Sequence, residues 1–285
     1  MTITSSTRVL TLLGDPVAHS LSPLVQNAAF AEAGVDGVYV AVRCAADDLV
    51  GFMRGLSRAG GGGNITLPHK EKAAAVVDVP SEAVRRTGAC NTFWGGPDGR
   101  VHGDNTDVDG FRGALRAFLE GSPEGMRVLL LGAGGAARAT LMGLLEEGVD
   151  QVVLLNRSSE RARAVARRIG GQRARVATLT EELRGQSFDL VVNATRLGLD
   201  PADPSPLDFE MLTRAGAAMD LVYAPEPTAF VRAAEAFGVR STDGGEMLVQ
   251  QGAASFERWW GRPAPVEAMR EAYGRSRGGK GSTGA

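Results

Sequence analysis

The sequence predicts an α/β protein of two lobes, and three observations carry that prediction. From Arg127 onward, apolar strand-like runs alternate with helical stretches, the rhythm of a parallel sheet covered on both faces. A glycine-rich loop, Gly132-Ala133-Gly134-Gly135-Ala136-Ala137, directly follows the apolar run Arg127–Leu131 and opens a helix. That loop begins almost halfway along the 285 residues, leaving the upstream half to build something else.

The elements follow in order. Val9–Leu13 is a short buried strand stopped by Gly14-Asp15-Pro16, and Ser22-Pro23 reads as an N-cap with proline at N1, opening a helix that turns Leu24, Ala28 and Ala29 inward. Gly37–Cys44 alternates as a strand with Val38, Val40 and Val42 on one face. A helix over 46–59, four glycines and the strand Asn64–Leu67 come next, ended by Pro68. Helices are expected over 70–77 and 81–87, then a hairpin around Asp98-Gly99 and a helix over 107–119. Beyond the loop come helix 136–147, strand 152–155, helix 160–169, strands 188–193 and 217–222, and a long helix 247–260. That last helix carries Met247, Leu248, Gln251, Ala254, Ser255 and Arg258 on related faces.

Composition narrows the function. Lys and Arg total 31 against 33 Asp and Glu, a net charge of −2, which leaves no footprint for nucleic acid or an anionic membrane. No apolar run approaches the ~18 residues that span a bilayer, and the N-terminus has no charged-then-apolar leader. Cys44 and Cys90 read as reduced, packed thiols of a cytoplasmic protein. His19, His69 and His102 lack metal-box spacing, so no metal is expected.

Strand, glycine loop and helix in this order suit a pyrophosphate. Gly132 permits the tight turn, Gly134 lets the backbone approach the phosphates, and Ala137 allows close helix–sheet packing. The next strand ends in Asn156-Arg157-Ser158, about 20 residues on, where an acidic residue would mark an NAD site. Arg157 stands there instead, and a guanidinium pairs with a 2′-phosphate that a carboxylate would repel. The competing view makes Arg157 a solvated residue at a helix start with Ser158 as its cap. Its place relative to the loop favours NADP(H).

Upstream, polar clusters interrupt apolar segments: His19-Ser20-Leu21-Ser22, Asn64 to Lys70, Asn91-Thr92, and Asp104-Asn105-Thr106-Asp107. Each sits at a strand end or helix start, where α/β side chains converge on a crevice. Their hydroxyls, amides, ammonium and carboxylate suit a small polyol acid. Taken singly, Ser22 as a cap, Asn64 and Asn91 as turn residues, and Lys70 as a surface lysine remain open alternatives.

In order, these segments resemble the shikimate dehydrogenase family from Gly14 to about Ser255. The resemblance runs through His19–Pro23, Asn64–Lys70, Gly88–Thr92, Gly103–Asp107, Gly132–Ala136, Asn156–Ser158, Asn193-Ala194-Thr195, Asp220–Tyr223 and Gln250-Gln251. It implies reversible NADPH-dependent reduction of 3-dehydroshikimate to shikimate, in aromatic amino-acid biosynthesis. It also implies an N-terminal α/β substrate domain plus a Rossmann-like NADP-binding domain, with a cleft between them. The expected division is 1–106 completed by helices in 244–273, then 107–243, with a disordered tail at 274–285. A small-molecule partner is expected, and the chain is left as a monomer or homodimer.

Carried over, the resemblance makes Lys70 and Asp107 the catalytic pair. Ser20 and Ser22 would hold the substrate carboxylate, and Thr66, Asn91, Tyr223 and Gln251 its remaining groups, with Asn64 supporting the pocket. Gly132, Ala133, Gly134, Gly135, Ala136, Asn156, Arg157, Ser158, Arg161, Thr195, Leu221 and Gly244 would line the cofactor, and Glu82 would stand near the nicotinamide. Val108, where glycine is frequent, Arg196, where a small residue or proline is frequent, and Ser158, where threonine is commoner, depart from the family pattern. Hydride delivery to a ketone builds charge on its oxygen, which a protonated Lys70 held by Asp107 can meet. A rival within the family is an NAD-linked quinate/shikimate dehydrogenase, which Arg157 and Ser22 disfavour. A catalytically silent ligand sensor has no need of both Lys70 and Asp107, and a folate-type dehydrogenase would not account for the upstream clusters.

Overall fold

The computed structural model describes residues 2–278. The chain divides into two units, Met1–Gly110 with Leu248–Ala285, and Phe111–Met247. The divide falls after Gly110 and after Met247, a few residues beyond the boundaries expected from sequence.

The first unit contains β1 (Arg8–Gly14), α1 (Ser22–Ala33), β2 (Gly37–Arg43), α2 (Leu49–Arg58), β3 (Gly62–Ile65), α3 (Lys70–Ala74), β4 (Val79–Pro80), α4 (Glu82–Thr87), β5 (Thr92–Gly95), β6 (Val101–Asp104) and the start of α5 (Asp107–Phe118). Its sheet has the order β2-β1-β3-β5-β6-β4, with β5 antiparallel to both neighbours. The apolar run of β1 is buried from Leu10 to Gly14, as a strand covered on both faces requires. On one face Leu13, Ile65 and Phe93 pack with Leu49 and Met53 of α2. Of the four glycines before Asn64, Gly62 and Gly63 belong to β3. A Cβ at Gly63 would fall on the Thr11 carbonyl oxygen, so β3 can lie beside β1 only without one.

The inward face of α1 differs from expectation, and that of β2 was left open by the sequence. In α1, Val25, Ala29 and Phe30 are buried while Leu24 is 44% exposed, because a helix apolar nearly all round does not betray its phase. In β2 the deeply buried side chain is Tyr39, and Val40 is exposed, because β2 is the edge strand. Ser22 is not a cap. It is the first residue of α1, its amide donates to Ser20 Oγ at 3.2 Å, and Pro23 follows in the first turn.

The second unit contains β7 (Arg127–Leu131), α6 (Gly135–Glu146), β8 (Gln151–Leu155), α7 (Ser159–Val165), β9 (Ala174–Ala177), β10 (Ser187–Asn193), β11 (Arg214–Asp220), α8 (Ala229–Ala236) and β12 (Arg240–Thr242). Every pairing is parallel, in the order β12-β11-β10-β7-β8-β9. This is the doubly wound order of a dinucleotide-binding fold, with its switch point between β7 and β10. Its core joins Leu129, Val191 and Phe188 to Leu207, Phe209 and Phe230. The strands β9 and β12, the pair β4 and the helix α8 escaped the sequence pattern because they are short and flank a stronger sheet centre.

The chain returns to the first unit along α9 (Gly245–Trp260) and ends in α10 (Val266–Gly278). Trp260 meets Phe30 edge-on at 5.5 Å between ring centres, Trp259 lies 5.9 Å from Tyr39, and α10 packs on α1. Residues 274–278, expected to lack structure, continue α10, where Met269 and Ala272 anchor the helix in the core. The rest of that expected tail, 279–285, lies outside the described residues. Both cysteines are free and buried, and burial pushes the Cys90 thiol up to about 12. No described helix is long and apolar enough to cross a membrane.

One buried carboxyl ties the loops at the carboxyl edge of the second sheet. Asp220 Oδ1 accepts from Asn193 Nδ2 at 2.9 Å and from the Val222 amide at 3.0 Å. Its Oδ2 accepts from Thr228 Oγ1 at 2.5 Å, and Thr228 in turn caps α8. Burial pushes the Asp220 carboxyl up to about 6, against the pull of those hydrogen bonds and with Asp243 adding to the rise. An acid whose folded-state pKa is raised stabilises the fold fully below its unfolded value, and that contribution is lost as pH climbs through about 6. Asn at this position can accept from Asn193 and Val222 and donate to Thr228. In urea titrations, Asp220→Asn is therefore expected to gain stability relative to wild type by about 2 kcal/mol between pH 4 and pH 7. Parallel curves for the two proteins would contradict the assignment.

Candidate active site

In the first unit, strand ends and helix starts bring four polar segments together. Lys70 opens α3 directly after His69, whose Nε2 lies 2.7 Å from the Cys44 carbonyl and so fixes the approach to the lysine. Asp107 opens α5. The Lys70 ammonium donates to Asp107 Oδ2 at 2.5 Å, with the two side chains 15% and 6% exposed. The other carboxylate oxygen, Oδ1, accepts from Asn91 Nδ2 at 2.8 Å. A buried carboxylate thus has both oxygens partnered, which its desolvation demands.

Asn91 is held in one orientation. Its Oδ1 takes the Thr106 amide at 2.7 Å, a group that can only donate, while its Nδ2 faces a carboxylate that can only accept. Asn64, at 4% exposure, lies next in the network. Its Oδ1 accepts from Tyr39 Oη at 2.8 Å, and its Nδ2 lies 2.9 Å from both Thr92 Oγ1 and Ser255 Oγ. Lys70, Asp107, Asn91 and Asn64 therefore share one hydrogen-bonded cluster. Tyr39, Thr92, Thr106 and Ser255 belong to it as well. Thr92 and Thr106 stood inside the motifs with no role, and Ser255 lay on the helix face that carries Gln251. Nothing local marks Tyr39, whose hydroxyl becomes relevant only when β2 lies beside β1 and β3.

A second polar cluster secures the start of α5. Asp104, at the end of β6, accepts from Ser81 Oγ at 2.5 Å, from the Asn105 amide at 2.8 Å and from Arg258 Nε at 2.7 Å. Arg258 also reaches Asp109 at 3.4 Å, so α9 grips the segment on both sides of Asp107.

The remaining expected contacts stand apart from that cluster. Ser20 Oγ donates to Ser22 Oγ at 3.2 Å, so the two hydroxyls are neighbours where α1 begins. Thr66 is half-buried with its amide on the Leu13 carbonyl at 2.9 Å, and Gln251 Nε2 donates one turn back to the Leu248 carbonyl at 2.9 Å. Glu82 is an exposed residue of α4, 4.0 Å from Arg86. Tyr223 belongs to the second unit, just past β11.

Within the second unit, the loop residues gather where the parallel strands end. Gly132 has φ +112°, and a Cβ there would meet the Ala194 carbonyl oxygen at 2.8 Å, so only glycine fits this turn between β7 and β10. Gly134 precedes α6 with open space where a Cβ would be. The helix has no side-chain cap and no acid in its first turn, so none of its own side chains meets its leading amides. Ser158 does cap α7, accepting from the Arg161 amide, and Asn156 Nδ2 donates to the Ser158 carbonyl at 2.9 Å. Arg157 is exposed and makes no ion pair among the described residues. Capping by Ser158 and a free Arg157 are thus compatible rather than rival readings. Thr195 Oγ1 donates to Asn193 Oδ1 at 2.7 Å, the Leu221 amide to the Asn193 carbonyl at 2.9 Å, and the Gly244 amide to the Val222 carbonyl at 3.1 Å. A pyrophosphate and a 2′-phosphate fit this donor set, since glycine leaves them room and amides and guanidinium leave them charge. Among the described residues no cluster of three or more His, Cys, Asp or Glu could hold a metal ion.

Comparison with known proteins adds independent findings. Residues 12–93 match the family model of the shikimate dehydrogenase substrate binding domain, 116–198 that of shikimate / quinate 5-dehydrogenase, and 244–272 that of the shikimate 5′-dehydrogenase C-terminal domain. The shikimate dehydrogenase (NADP(+)) of Methylobacterium radiotolerans is 41% identical over 91% of this chain and 94% of its own. That of Rubrobacter xylanophilus is 41% identical over 95% of this chain and 96% of its own. A crystal structure of shikimate 5-dehydrogenase from Thermus thermophilus, in complex with NADP(H) and shikimate, superposes with a TM-score of 0.84 at 41% identity, covering 94% of this chain and 99% of that one. Matched by these family models and by shikimate dehydrogenases 41% identical over more than nine-tenths of its length, the chain belongs to the shikimate dehydrogenase family.

Proposed function

We propose that this protein is a shikimate dehydrogenase, catalysing the reversible NADPH-dependent reduction of 3-dehydroshikimate to shikimate. The observation that carries the proposal is the buried Lys70–Asp107 pair, 2.5 Å apart and seated on Asn91, in a chain of this family. The first unit serves the substrate and the second the cofactor. Ser20 and Ser22 hold the substrate carboxylate, while Thr66, Asn91 and Gln251 meet its ring oxygens.

When bound, NADPH supplies a hydride to the ketone carbon. Lys70 stabilises the negative charge that develops on the ketone oxygen and gives that oxygen its proton. Asp107 holds Lys70 in place, and its unused lone pairs accept from a substrate hydroxyl. In the oxidative direction the same pair receives the proton. The amides of the Gly132–Ala136 turn face the pyrophosphate, and Arg157 with Asn156, Ser158 and Arg161 faces the 2′-phosphate. Thr195, Leu221 and Gly244 line the strand ends beside them. Two buried, unpaired thiols support a reducing, cytoplasmic setting.

Absorbance at 340 nm, followed with shikimate and NADP, should show robust turnover, with quinate or NAD far poorer. Comparable rates with quinate and NAD would move the protein to the quinate-using branch. Lys70→Ala should lower kcat by about 10²–10⁴-fold with little change in shikimate affinity, because its contact strengthens mainly in the transition state. Undiminished kcat would remove Lys70 from the chemistry. For Arg157→Ala, KM for NADP should rise about tenfold or more while KM for NAD stays level. Equal weakening toward both dinucleotides would argue against a 2′-phosphate contact.

A further inference from the structure

The geometry points to Ser255 as a positioning residue for the Lys70–Asp107 pair, acting through Asn91. This inference rests on the function proposed above. Ser255 sits on α9 with no solvent exposure, far along the chain from the segments that carry the pair. Its Oγ lies 2.9 Å from Thr92 Oγ1 and 2.9 Å from Thr106 Oγ1, and those two hydroxyls are themselves 2.9 Å apart. Three side-chain hydroxyls thus stand at the corners of a triangle, two of them against the Asn91 amide that holds Asp107.

The surroundings settle which way its hydrogens run. Asn64 Nδ2, a group that can only donate, is 2.9 Å from both Thr92 and Ser255, and Asn91 Nδ2 donates to Thr106 at 3.0 Å. Groups that can only accept are Asn91 Oδ1, 2.9 Å from Thr92 and 3.1 Å from Thr106, the Asn91 carbonyl, 3.1 Å from Asn64 Nδ2, and the Gln251 carbonyl, 2.9 Å from Ser255. Ser255 sends its own hydrogen to Gln251, Asn64 shares its two among Ser255, Thr92 and the Asn91 carbonyl, and the threonine hydrogens are left for the triangle and for Asn91 Oδ1. Without Ser255, Thr92 and Thr106 lose the third corner, and one buried hydroxyl is left to rotate between competing partners. Asn91 feels that directly, because both threonines touch its amide, and the same amide holds Asp107 Oδ1. The carboxylate would then lose its fixed aim at the Lys70 ammonium, a misplacement to which rate is more sensitive than binding.

A double-mutant cycle tests this, with shikimate and NADP and the wild type assayed alongside. Ser255→Ala should lower kcat about tenfold and leave KM for NADP within twofold. In an Asn91→Ala background, where the route to Asp107 is already cut, the same change should alter kcat less than twofold. An unchanged kcat in the single variant, or a full tenfold loss persisting without Asn91, would overturn the inference. If Ser255→Ala does not accumulate folded, Ser255→Cys, which keeps the volume and weakens the hydrogen bonds, takes its place with the same two outcomes. A wild type without shikimate turnover would sink the proposed function and this inference with it, whereas an active wild type matched by the variant would sink the inference alone.

Discussion

A carboxylate that is nearly out of water must have both of its oxygens satisfied, and Asp107 meets that demand with an ammonium on one side and an amide on the other. The requirement spreads outward. Asn91 can serve Asp107 only if its amide is turned one way, which the Thr106 amide and the threonine hydroxyls enforce. Those hydroxyls in turn need Asn64 and Ser255, and Asn64 needs Tyr39. Much of the polar interior of the first unit is thus a consequence of holding one acid in place beside one amine. Such a pair contributes little to net stability, since desolvation offsets its attraction, so its value lies in geometry.

The architecture supplies the distances that this geometry needs. Glycine in β3 lets β1 and β3 lie close, which brings Asn64 level with Thr92 across the antiparallel pairing of β3 with β5. The hairpin β5–β6 then sets Thr92 opposite Asp104, so that the segment leading to Asp107 leaves the sheet beside Asn91. From the far end of the chain, α9 contributes Ser255 to the hydroxyl triangle and Arg258 to Asp104. A helix far along the chain, expected from sequence to complete the first domain, therefore contributes to the site that the N-terminal segments begin.

The second unit obeys a different constraint. Its strands all end on one edge, and winding outward in both directions from β7 and β10 leaves a gap there that no connection crosses. Gly132 turns at that gap with a backbone only glycine adopts readily, and α6 opens there with no side-chain cap and no acid in its first turn. Asp220 binds the neighbouring loops to one another, so the edge is shaped by a buried acid.

Much of this was legible in the residues alone. The alternation of apolar runs and helices, the loop Gly132–Ala137, Arg157 at the strand end and the clusters around Lys70, Asn91 and Asp107 were all visible because each depends on local spacing or on residue chemistry. Turn and hairpin signals placed β5 and β6 for the same reason. What sequence could not decide was which face of α1 or β2 looks inward, because an all-apolar helix and an edge strand of valines carry no directional signal. Nor could it show that Ser255, Tyr39 and Arg258 meet Asn64 and Asp104, since those partners lie far apart along the chain. Such contacts exist only once strands are registered and helices docked, and that is settled by burial rather than by any local pattern.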